Sequence, residues 1–203
     1  MSSPDSSNNT RSTTLWAPFA LLLAALVLRW LKLTPEGADL LPGFSPWMAL
    51  AFTGTLLFPR VIYVWTIPAA LILIDQFAFG WDAQSLKAAL PTYTCLALAA
   101  AFAIALRGRV GILGTLGGTL ACSLGFYLIS NSCAWLVEPA YAKSITGWMQ
   151  ALTTGLPGFP PSYLFLRNAL LSDLSFSLVL ITLHTLEARS RGLVRLPLIR
   201  ATA

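Results

Sequence analysis

Apolar residues gather in six stretches along this chain, and polar residues collect between them. A transmembrane helix needs about 20 mostly apolar residues. Five stretches approach or reach that length: Leu15 to Leu33, Val61 to Phe79, Ala88 to Leu106, Val110 to Ser130 and Tyr163 to His184. The remaining one, Pro46 to Phe58, is short for a span and is separated from the next only by Pro59-Arg60. Two helices joined by a tight turn is the better reading there. The alternative is a half-helix sheltered by protein. Lipid tolerates free backbone groups only where they are buried or wet.

Composition strengthens the membrane reading. Of 203 residues, 56% are hydrophobic and 10% charged, against roughly 25% charged in soluble domains. A soluble chain this short cannot hide so much apolar surface. The pattern predicts an all-α integral membrane bundle of about six transmembrane helices. Residues 1–14, rich in Ser, Thr and Asn, read as a disordered cytoplasmic tail. Residues 15–187 form the membrane domain, and 188–203 a basic cytoplasmic tail. The first apolar run is too long for a signal-peptide core, lacks a clear cleavage site, and reads as a retained helix.

The net charge of +5 does not point to nucleic acid, because the basic residues sit between apolar runs and in the tail. They act as topology signals. Six spans put Arg11, Arg60, Arg107, Arg109, Arg189, Arg191, Arg195 and Arg200 on one side, eight of the 13 basic residues. That excess predicts both termini in the cytoplasm. Connections 34–45, 80–87 and 131–162 then face outward. They carry Trp81, Trp135, Trp148 and Tyr141, which are interfacial anchors or parts of a functional loop. The last connection includes an amphipathic stretch, 140–152.

Candidate chemistry is sparse. Small residues fill the fifth stretch, with Gly114 and Gly118 at a spacing that lets helix backbones approach closely. Ala20 and Ala24 repeat it in the first. Asp75, Asp82, Arg167, Asn168 and Asp173 lie in or beside spans. A charge at membrane depth costs several kcal/mol unless paired or wet. Arg167 paired with Asp75 or Asp173 relieves that cost, and a wet cavity is the other solution. Cys95, with Tyr93 two residues before it, is a small buried hydrophobe or a soft metal ligand. A disulfide from Cys95 to Cys133 is a further option. His184 is the single histidine, no Cys/His ligand spacing occurs, and no nucleophile or phosphate-loop motif is present. An enzyme reading rests on Asp75 and Asp173 as acid and base. A purely structural bundle subunit needs none of these groups.

Two groups of residues carry a resemblance: Phe44-Ser45-Pro46, Asp75 and Tyr93 with Leu96-Ala97-Leu98; and Ser130 to Trp135, Tyr141 and Phe165 to Asp173. Together they resemble the substrate-binding S-components of energy-coupling-factor transporters. Within these the likeness is to the solitary, cobalamin-specific type of Gram-negative bacteria. The resemblance implies a six-helix fold with a vitamin pocket at the outer face. It implies transport of cobalamin, or of another small molecule, with no prosthetic group and no nucleic-acid partner. It implies a cysteine thiolate, here Cys95, as axial ligand to cobalt, able to labilise the opposite axial group. The ligand-binding set is then Cys95, Tyr93, Asp75, Asp82, Asn131, Arg167, Asn168 and Asp173. Ala20 and Ala24 match the face that meets an energising module.

Overall fold

The computed structural model describes residues 23, 24, 27, 44–57, 73, 74, 77, 83–190, 192 and 196–199. Most of the expected first and third spans, the N-terminal tail, Ala20, Asp75, Asp82 and half of residues 188–203 lie outside these. The described residues form helices and turns with no strand. A short helix, α1, covers 47–57, with π-helical Ala49–Gly54 followed by one α-helical turn, Thr55–Leu57. The others are α2 (Ala83–Leu106), α3 (Ile112–Val137), α4 (Ile145–Leu152) and α5 (Ser162–Ser190).

Within α2, α3 and α5 are stretches long and apolar enough to cross a membrane, Ala89–Leu106, Ile112–Val137 and Ser162–Ser190. Their outward faces show Leu98, Ile104, Leu113, Leu120, Leu128, Leu171 and Leu178 in the open. Such continuous apolar faces suit hydrocarbon and not water. The chain is an all-helical membrane protein.

The spans outrun the apolar stretches that announced them. α2 starts at Ala83, inside the expected 80–87 connection, because Ala83 to Leu90 are strong helix formers despite Gln84 and Lys87. α3 continues through Asn131 to Val137 and stops at Glu138, just before Pro139. The amphipathic stretch 140–152 is helical only from Ile145, where Ser144 caps the start by accepting the Gly147 N–H at 3.2 Å.

α1 lies on the short stretch, and its described part is sheltered by protein. Every residue from Pro46 to Leu57 is buried. Phe52 lies in the centre of the core, its ring 5.4 Å from that of Phe102 and seated over Gly118. A helix leaves amides bare at its start. Distant elements serve that start and the turn at Thr55. Asp173 of α5 accepts the Ala49 N–H at 3.0 Å. Arg107, just past α2, donates to the Thr55 carbonyl.

α3 lacks a side-chain cap, and its first amides are served by the C-terminal segment. Ile112 N–H donates to the Pro197 carbonyl at 2.9 Å, and Leu113 N–H to that of Leu198 at 3.2 Å. A side chain at Gly111 would put its Cβ 2.4 Å from the Pro197 oxygen, so glycine permits this approach.

At the other end of α3, a hairpin folds α4 back. Tyr127 donates its hydroxyl to the Leu152 carbonyl. Trp148 donates to Ser132 Oγ at 2.9 Å, and Trp135 to the Ala142 carbonyl at 2.8 Å. Lys143 donates to the carbonyls of Trp135 and Glu138, closing the C-terminal end of α3. The two tryptophans therefore fasten protein to protein. Gly147 lies against this hairpin, and a Cβ there would fall 2.0 Å from the Ala142 oxygen. Gly147→Val is expected to lift α4 and free Lys143. Limited trypsin digestion should then cut after Lys143 within the time that leaves the parent chain intact. Equal resistance would show that α4 is held some other way.

Candidate functional site

Residues four apart lie on one helix face. Thr115, Thr119 and Ser123 follow that spacing on α3, and all three are fully buried. Their hydroxyls bond back to the carbonyls of Gly111, Thr115 and Thr119 at 2.9, 3.1 and 3.0 Å. The face meets Asp173 and Ser177 of α5, themselves four apart, and Thr53 of α1. Thr53 and Thr119 are 2.8 Å apart, Thr53 and Ser177 2.9 Å, and Thr119 and Ser177 3.1 Å. Three elements thus share one triangle of hydroxyls. Interhelical bonds of this kind stabilise membrane bundles by roughly 0.6–2 kcal/mol each.

One turn away, Ser123 donates to Asp173 Oδ2 at 2.6 Å, while Oδ1 holds the Ala49 amide. The carboxylate is 2% exposed. It joins α1, α3 and α5, and this role accounts for its burial without acid–base chemistry. Arg167 does not pair with it. Six residues along a helix turn about 600°, so the two side chains leave α5 roughly a third of a turn apart. Arg167 is exposed, and its Nε donates to Asn168 Oδ1 at 3.2 Å. Asn168 itself is buried.

An adjacent face of α3 meets α2 across an apolar groove of about 210 Å³. Cys95, Leu98, Ala99 and Phe102 of α2 line one wall; Ala121, Cys122, Gly125, Phe126 and Ile129 of α3 line the other. Cys95 is 5% exposed. Cys95, Cys122 and Cys133 are all free thiols. Tyr93, half-buried two residues before Cys95, packs against the core. Asn131 lies toward the α4 end, with its Nδ2 donating to the Tyr127 carbonyl at 2.9 Å.

The predicted set is therefore divided. Cys95 lies on the groove and Asp173 in the hydroxyl seam. Arg167, Asn168 and Asn131 sit on neither wall of the groove. Among the described residues, no three His, Cys, Asp or Glu side chains gather as a metal-holding set. Ala24, expected at a partner face, is helical and exposed. Sequence reasoning missed Cys122, the hydroxyl triangle and the Ser123–Asp173 bond. The four-residue rhythm of Thr115, Thr119 and Ser123 was a usable signal for the seam.

Long apolar helices closed around a buried polar seam define an integral membrane protein of the all-helical class. The chain belongs to the family of unknown function DUF6580, whose match runs over residues 8–193. No curated protein and no solved structure matches it.

Proposed function

We propose that this chain is a membrane-embedded binding component for small-molecule uptake, with a corrinoid as ligand and the Cys95 thiol facing its metal. The observation that carries this reading is the position of Cys95. It is shielded from solvent, yet lines an apolar groove between two spans. A thiol there meets a soft metal centre with little competition from water. The groove is open along one side, so a larger ligand enters it only with the part that meets the sulfur.

In this reading α1, α2, α3 and α5 are four of six helices, and residues 15–33 and 61–79 supply the others. The termini lie in the cytoplasm of a bacterial cell, and the α4 end faces outward across the inner membrane. The α4 hairpin then stands beside the ligand's entry. Ala24 belongs to a face on which an energising module docks, and its exposure suits that role.

The test is direct. Protein purified in detergent from cells fed cobalamin should be coloured. Cys95→Ala should change the visible spectrum of the bound corrinoid and weaken its retention. A colourless preparation would overturn the corrinoid assignment, and an unchanged spectrum in the variant would overturn the role of the thiol.

A further inference from the structure

The end of the bundle opposite α4 joins two parts of the chain that are far apart in sequence. Leu196 packs against the hydrophobic core. The carbonyls of Pro197 and Leu198 accept the Ile112 and Leu113 amides. Residues 196–198 are thus a strap fixed across the start of α3. Past its anchor the strap shows apolar side chains, Leu198 being 62% and Ile199 69% exposed. Arginine flanks this contact on both segments. Arg109 is exposed and stands two residues before Gly111. In the sequence Arg195 stands two residues before Pro197, and Arg200 two after Leu198. Two residues of chain span at most about 7 Å, so all three are tethered to one contact. Arg189, in the last turn of α5, is a further exposed cation at this end. Neither 106–112 nor 191–203 contains an aspartate or glutamate, and Glu187 of α5 is half-buried.

We infer that the strap and the α2–α3 turn form a docking site for the headgroup of an anionic phospholipid, with Leu198 and Ile199 dipping into the interface beside it. Guanidinium groups pair with phosphate through two parallel hydrogen bonds. Basic residues clustered beside a span attract anionic lipid. Apolar side chains among basic ones suit the boundary between headgroups and acyl chains. A topology signal needs only charge on the correct side of the bilayer. It does not need the tail fastened to α3. The Leu196 anchor and the two backbone hydrogen bonds turn scattered charge into a site. The site does not depend on a corrinoid.

The experiment uses the full chain in detergent, free of corrinoid. It is titrated with phosphatidylglycerol and, separately, with phosphatidylcholine of the same acyl chains, and bound lipid is counted by native mass spectrometry. Phosphatidylglycerol should be held more tightly, and the preference should shrink as ionic strength rises. Arg109→Gln, Arg195→Gln and Arg200→Gln should each weaken it roughly fivefold, the worth of one basic side chain at an anionic surface. Arg195 and Arg200 lie past the last span, so their replacement leaves the bundle intact. Gly111→Ala alters no charge, but its Cβ would fall 2.4 Å from the Pro197 oxygen and lift the strap. The preference should then fall at least as far as in any single arginine variant. Inorganic phosphate at matched ionic strength should not release the lipid. The inference is overturned if the two lipids are retained equally, or if the arginine variants keep the parent's preference. A Gly111→Ala chain with the parent's preference would overturn the strap as part of the site. Release by inorganic phosphate would overturn the lipid in favour of a soluble anion. Because corrinoid is absent throughout, failure here is separable from failure of the uptake reading.

Discussion

Gly118→Val is expected to destabilise the bundle by about 3 kcal/mol, the upper part of the range for overpacking a core. A Cβ at this position would lie 2.2 Å from Phe52 Cζ and 2.5 Å from its Cε1. The ring has little room to yield. Phe52 is fully buried and is backed by the ring of Phe102. The backbone of α1 is pinned as well, by Asp173 at Ala49 and Arg107 at Thr55. Unfolding in mixed micelles measures the cost. Phe52→Leu should relieve part of it, and a double-mutant cycle should return a coupling of roughly 1–3 kcal/mol. A Gly118→Val chain as stable as the parent would show that α3 and α1 are not in this contact. An additive cycle would show that the strain lies elsewhere.

Asp173→Ala is the second large effect. It removes the acceptor of the buried Ala49 amide, while the Ser123 hydroxyl keeps the Thr119 carbonyl at 3.0 Å. An orphaned buried donor costs about 1–3 kcal/mol, so the variant should lose about that much. Asp173→Asn keeps one acceptor oxygen and should recover much of that loss. The comparison separates a structural carboxylate from a reacting one. If both variants unfold alike, the carboxylate charge matters more than its hydrogen bonds. If Asp173→Asn is fully stable but loses ligand retention, the carboxylate belongs to a binding site after all.

What the sequence disclosed follows from which forces are local. Membrane residence is written in composition, and α2, α3 and α5 were visible because each is a single long apolar run. Their ends were less visible. Helix propensity, not hydropathy, carried α2 back to Ala83 and α3 on to Val137, and apolar counting is blind to that. A helix over the short stretch 46–58 was legible, with shelter by protein as the alternative reading. Its partners were not, since Asp173 lies 124 residues from Ala49. Arg167 and Asp173 are close in sequence but leave the helix in different directions, so proximity along the chain suggested a pairing that helical rotation denies. Cys122 hid for a different reason. It sits in a run of glycine and alanine whose evident purpose is close packing, and one such residue lining a groove cannot be told from its neighbours by type.

The long reach of the contacts to α1 bears on how the molecule is assembled. Ribosomes deliver α1 early, yet the carboxylate for its amide and the Ser177 hydroxyl for Thr53 arrive only with the final span, each 124 residues later. Until then the Ala49 amide and the Thr53 hydroxyl lack these partners. The settled position of α1 is thus a late event in biogenesis, and a nascent chain stopped before α5 emerges holds a segment that belongs neither to lipid nor to a finished core.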